Sequence, residues 1–186
     1  LILLCDSGSK LSDFSLSKQE LDYIKKEQKE QKEIAAINQY GRRIFVIIPK
    51  KDKDKNKNAE NCRMLGDNLA GKLKDEDSTL IIDIKENQTE AMQIAEGIAL
   101  SNYTFTKHKT EAKPNKLETI YLCKNSNQKD IDELQNIIDA VYFTRDLINE
   151  PFSHLTAKDL ATAAVKSGKK NGIKIKVLDK KKIESL

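Results

Sequence analysis

The amino-acid sequence predicts an α/β protein, a three-layer α/β/α arrangement built on a mixed sheet. Three observations lead there. Short apolar runs alternate with helical patterns of ten or more residues, the order that places helices on both faces of a mainly parallel sheet. Ile44-Phe45-Val46-Ile47-Ile48 is apolar on both of its alternating faces, as a central strand covered from both sides must be. The link near Gly41 is too short for a crossover, so the strands it joins pair antiparallel and the sheet is mixed.

Each element has a local reason. Leu1-Ile2-Leu3-Leu4-Cys5 has neither a basic leader nor a small-residue cleavage site, and reads as a strand. Ser17-Lys18-Gln19-Glu20 has capping-box spacing and starts a helix to about Gln31, with Leu21, Ile24 and Gln28 turned inward. Ile34 to Asn38 and Arg43 to Pro49 are the hairpin strands. Lys50 to Lys57 alternates charge between apolar segments and reads as an exposed loop. Ala59, Cys62, Leu65, Leu69 and Leu73 repeat at helical spacing. Leu80 to Ile84 is a buried strand, and Thr89 to Leu100 a helix with Met92, Ile94 and Ile98 on its apolar side. Polar residues 101–116, with Pro114, form the longest connection before a strand over Leu117 to Cys123.

Asp130 opens the longest helix. Ile131, Leu134, Ile137, Ile138, Val141, Tyr142, Arg145 and Ile148 lie on one stripe of it, which predicts burial for the Arg145 guanidinium and hence a carboxylate partner. Pro151 ends it by pushing residue 150 out of helical geometry. Thr156 and Asp159 cap a further helix, Gly172 terminates it, and Ile173 to Leu178 alternates as a strand. A lone helix and strand cannot bury their own apolar faces, so this last segment either docks on what precedes it or begins another domain.

Composition narrows the function. The charged residues are mixed in sign and leave a net charge of only +4, which suits a soluble protein with a solvated surface. No apolar run approaches the ~20 residues that span a bilayer. Cys5, Cys62 and Cys123 are an odd, widely spaced set that reads as reduced, buried thiols of a cytoplasmic protein. The lysines from Lys166 to Lys182 form a basic group without aromatic platforms or a reading motif, so nucleic acid is not expected as a partner. His108 and His154 stand in different segments with no metal-binding spacing. None of the seven glycines forms GxG, which leaves no dinucleotide fingerprint, and no serine has a GxSxG context. The residues by themselves offer no catalytic, cofactor-binding or metal-binding set. Arg145, Asp146, Asn149 and Glu150, clustered before Pro151, read as a weld between two units.

RDLINEP (Arg145 to Pro151) followed by LTAKDLA (Leu155 to Ala161) resembles the RDLxNEP…LTPexLA junction of the leucyl (cytosol) aminopeptidases. AEGIALSNYTFTKHKT (Ala95 to Thr110) is similar to that family's AEGxxLxxYxFxxYKT, with His108 where tyrosine is common. VLDKKKIESL (Val177 to Leu186) resembles VLDexxIxxLG. Together these lie within residues 95–186, roughly half of the chain.

The resemblance implies a macro-domain-like sheet in a non-catalytic N-terminal domain over residues 1–150, ending in a long linker helix. Residues 151–186 then begin a catalytic peptidase domain. It further implies a cytoplasmic hexamer that removes N-terminal residues from peptides with two divalent metal ions, zinc or manganese. The partners of this portion are its own catalytic domain and further copies of itself. The family's ligands and catalytic arginine lie around an NTDAEGRL motif. Ala95-Glu96-Gly97 does not supply it, because Gln93-Ile94 precedes it and Ile98 stands in place of arginine. No catalytic role, cofactor site or metal site therefore carries over to this stretch. Two other readings are a macro-type nucleotide-binding module and a nucleic-acid-binding accessory domain.

Overall fold

The computed structural model describes residues 1–84, 88–123 and 127–185. They divide into two compact units, Leu1–Val141 and Tyr142–Leu186. In the first, a five-stranded sheet has the order β2-β3-β1-β4-β5. Its strands are β1 (Ile2–Leu4), β2 (Ile34–Gln39), β3 (Arg42–Ile47), β4 (Ser78–Asp83) and β5 (Thr119–Cys123). β2 and β3 pair antiparallel with Gln39 opposite Arg42, while β1 pairs parallel with both β3 and β4, and β4 with β5. The mixed α/β sheet is as the sequence indicates. The center of the sheet is β1, not the Ile44–Ile48 strand expected there, which lies beside it; all three residues of β1 are inaccessible to solvent.

The side-chain period of two sorts these strands into two cores. On one face Ile2, Leu4, Phe45, Ile47 and Ile81 meet α2 (Lys55–Leu73) and α3 (Gln88–Asn102). On the other, Leu3, Cys5, Ile44 and Val46 meet Ile24 of α1 (Lys18–Lys29). The α1 start follows from its capping box: Ser17 Oγ accepts from the Glu20 N–H, and Glu20 accepts in return from the Ser17 N–H at 2.7 Å. The backbone hydrogen bond from Ser17, then the Gln39 amide, hold the Glu20 carboxyl below its ordinary value.

The α2–α3 contact is the tightest in the unit. A Cβ on Gly66 would lie 2.3 Å from the Ile94 carbonyl oxygen, and one on Gly97 would lie 2.1 Å from the Arg63 carbonyl oxygen. Two glycines thus bring the helix backbones into direct contact, where any larger residue would overlap a carbonyl of the opposite helix. The 103–118 connection is tied down at both ends: Asn102 Nδ2 donates to the Leu117 carbonyl at 2.7 Å, and the Lys116 N–H donates to the Lys74 carbonyl at 2.7 Å.

Two further expectations are corrected. Cys5 and Cys62 are buried, but Cys123 is exposed, because it lies on the edge strand β5. The long helix, α4 (Gln128–Asn149), contains no fully buried residue, and Ile137 and Ile148 on its expected apolar stripe are exposed.

Gly97→Ala is expected to cost roughly 1–3 kcal/mol, the range for a methyl forced into a filled contact. Gly71, also in α2, has nothing within 4 Å of its Cβ position, so Gly71→Ala should instead stabilise by up to ~1 kcal/mol through helix propensity. Urea unfolding of the two variants checks the pair. Equal midpoints would show that the α2–α3 contact is not close-packed in solution.

Candidate functional site

The second unit contains the junction singled out by the sequence. Within it Arg145 is half-buried, not fully buried as expected, because the stripe it occupies is open to solvent at Ile148, which is 76% exposed. Asp146 is exposed and Glu150 half-buried. Asn149 Nδ2 donates to the Arg145 carbonyl at 2.9 Å and so satisfies one of the free acceptors at the α4 end. The Pro151 carbonyl then accepts from the N–H groups of His154 at 2.8 Å and Leu155 at 3.0 Å, which closes a tight turn. The junction is a backbone-bonded corner.

From that corner α5 (Ala157–Lys170) starts in a full capping box. The Thr156 hydroxyl and N–H both donate to Asp159 Oδ2, at 2.6 and 3.0 Å, while Thr156 Oγ1 accepts from the Asp159 N–H. The hydroxyl bond first, and the backbone bond second, hold the Asp159 carboxyl below the usual aspartate value. Aspartate, though shorter than glutamate, completes the box. At the other end Gly172 adopts φ +70°, the Ile173 N–H donates to the Gly168 carbonyl at 2.8 Å, and the helix stops as the sequence indicates.

The expected strand Ile173 to Leu178 does not form. Residues 173–179 have no regular structure, and the Ile175 side chain lies against Gly168, where a Cβ would stand 2.6 Å from it. Among the described residues the segment has no sheet partner. A short helix, α6 (Lys180–Glu184), follows, capped by Asp179 accepting from the Lys182 N–H.

The remaining candidates belong to separate segments. His108 stacks at a tilt on Phe105, with ring centroids 5.7 Å apart, while His154 lies in the turn after Pro151. Glu96, of the Ala95-Glu96-Gly97 stretch, accepts from Arg63 Nε at 2.8 Å, and Gly97 packs on the Arg63 backbone. That stretch therefore joins α3 to α2. Among the described residues no group of three or more His, Cys, Asp or Glu could hold a metal ion. The lysines of 166–182 are exposed. No described helix is long and apolar enough to cross a membrane.

Comparison with known proteins gives this architecture a family context. No protein-family model matches the chain. A probable cytosol aminopeptidase of Sulfurihydrogenibium sp. is 33% identical over 121 residues, covering 59% of this chain and 24% of that protein. One from Phytoplasma mali is 27% identical over 155 residues, covering 76% of this chain and 31% of that protein. One from Chlorobaculum tepidum is 55% identical over 42 residues. Among solved structures, a tomato leucine aminopeptidase variant superposes with a TM-score of 0.73 at 17% identity, over 99% of this chain and 42% of that one. The bottromycin maturation enzyme BotP, solved in complex with Mn, superposes with a TM-score of 0.69 at 12% identity, over 99% of this chain and 39% of that one.

The fold is that of the leucine aminopeptidase N-terminal domain. In sequence the chain is a homologue of the probable cytosol aminopeptidases, so the resemblance carried by RDLINEP and AEGIALSNYTFTKHKT holds. It spans about a quarter to a third of the length of those relatives.

Thr156→Ala is expected to cost about 1 kcal/mol of α5 stability through loss of the cap, read as faster amide exchange over 157–161. Because the folded Asp159 value is depressed, the cap contributes fully above the ordinary aspartate pKa and is lost as pH falls through the lowered one. Carboxyl-detected NMR titration should place the Asp159 midpoint below that of Asp159 in urea. Coincident midpoints would contradict the closed box.

Proposed function

We propose that this chain is the N-terminal portion of a metal-dependent, leucyl-aminopeptidase-like exopeptidase that removes N-terminal residues from peptides. The observation that carries the reading is the homology to proteins named cytosol aminopeptidase, joined to a fold match over 99% of the chain. In this reading residues 1–150 are a non-catalytic domain that serves packing and assembly, and residues 151–186 begin the catalytic domain. The two divalent ions, zinc or manganese, are held by residues beyond this stretch; the Mn bound to BotP supports that metal class. The assembly is a hexamer in the cytoplasm.

The second unit is consistent with a segment that continues into a larger domain. Phe152 is 81% exposed, and the alternating Ile173, Ile175 and Val177 are exposed as well. Such alternation is the pattern of a half-buried strand, and a larger peptidase sheet supplies the edge it pairs with. The role of Glu96 also fits, since its carboxylate is committed to Arg63 and not to a metal.

The expected outcome is that the purified chain releases no leucine from a peptide with zinc or manganese added, while the same chain continued by the remainder of a relative's catalytic domain does. That activity should vanish with chelator. Metal-dependent release by the chain alone would overturn the assignment of catalysis to residues beyond this stretch. An inactive but folded and metal-loaded chimera would overturn the peptidase reading.

A further inference from the structure

One feature of the first unit lies outside the peptidase reading: a cleft of about 470 Å³ at the carboxyl ends of β1 and β3. The crossover after β1 runs over one sheet face through α1, whereas those after β3 and β4 run over the other through α2 and α3. The carboxyl end of β1 is thus the point where the winding reverses, which is where open α/β sheets form ligand crevices. The volume falls within the ~300–1,000 Å³ of small-molecule sites.

The chemistry of the walls is specific. Ile48 and Pro49 give an apolar floor, and Lys32, Lys50 and Lys51 supply three ammonium groups. Two of these are held by carboxylates. Lys51 is paired with Glu90, and Lys32 bonds Glu27 at 2.9 Å and Glu30 at 2.9 Å; Glu27 and Glu90 are themselves nine-tenths buried. Those three carboxylates do not line the cleft. The Glu27 and Glu30 bonds raise the Lys32 pKa, so its charge persists. Glu33, which does line it, accepts through Oε1 from the Lys50 N–H at 2.6 Å and Asn61 Nδ2 at 2.7 Å, which pins the backbone that presents Lys50.

A lysine anchored by a buried helix glutamate retains N–H donors for a phosphate, the arrangement kinases use. Lysine suits phosphate as a point charge, and the lining contains no arginine fork of the kind that favors planar carboxylates. Gln31 follows the end of α1 with φ +58°, its N–H bonding the Gln28 carbonyl and that of Lys32 the Glu27 carbonyl, and it also lines the cleft.

We propose that this cleft binds a small organic phosphate, with the phosphate at Lys50 and Lys51 and the organic part over Ile48 and Pro49. The site belongs to the first unit alone and stands whether or not the chain is part of a peptidase.

The probes are ADP, inorganic phosphate and adenosine, added to the chain and followed by amide NMR shifts. ADP should give saturable shifts confined to residues 31–33 and 48–51. Its affinity should fall by about tenfold or more in Lys50→Gln/Lys51→Gln, the size of lost charge-assisted contacts. Glu90→Gln keeps the Lys51 charge but releases its anchor, and should weaken ADP while leaving the amide spectrum folded. Gln31→Gly should raise the unfolding midpoint and weaken ADP together, which separates loss of binding from loss of fold. No saturable shift with ADP, an affinity unchanged by the double lysine variant, or adenosine binding as tightly as ADP would each overturn the proposal.

Discussion

The architecture rests on the absence of two methyl groups. Gly66 and Gly97 let α2 and α3 touch backbone to backbone, at positions where a Cβ would overlap a carbonyl of the opposite helix. Both helices are parallel crossovers, α2 between β3 and β4 and α3 between β4 and β5, so their spacing sets how they lie on Ile2, Leu4, Ile47 and Ile81. A packed interior transmits such a displacement because it has few voids to absorb it. Arg63 reinforces the same contact from its rim by pairing with Glu96 across the two helices. That pair is partly exposed, so its contribution is small beside the packing.

The same contact explains a sequence feature that invites misreading. Ala95-Glu96-Gly97 matches three letters of a metallopeptidase motif, yet it serves the helix contact: Glu96 Oε2 accepts from Arg63, Gly97 packs on the Arg63 carbonyl and Ala95 on the core. The junction at Pro151 follows similar logic. Its asparagine and proline carbonyl complete backbone hydrogen bonds at a helix end, which is a structural use of polar groups. Polar residues in both places hold the chain in position.

The cleft at the end of β1 is different in kind. There two buried carboxylates hold lysines at the rim of an open space, although burying charge is costly unless the geometry is good. The lysine-rich stretch from Lys50 contributes two of the three lysines that line the space, Lys50 and Lys51. In the sequence its alternating charge has the signature of a solvated loop, and nothing local separates Lys50 and Lys51 from the lysines that follow. Glu90 is 39 residues beyond Lys51, so only the fold could reveal their pairing.

The sequence by itself determined the elements whose causes are local. The Ser17 and Thr156 boxes, the Gly172 stop, the short hairpin link and the doubly apolar Ile44–Ile48 run each rest on neighbors within a few residues, where propensity and capping act. The family motif at RDLINEP was legible for the same reason. Tertiary structure alone decided which strand is central, that Cys123 lies on an edge, and that Arg145 stays half-exposed. It also decided that Ile173 to Leu178 does not become a strand. A strand needs a partner for its backbone groups, and alternation in the sequence specifies the side-chain faces without supplying that partner.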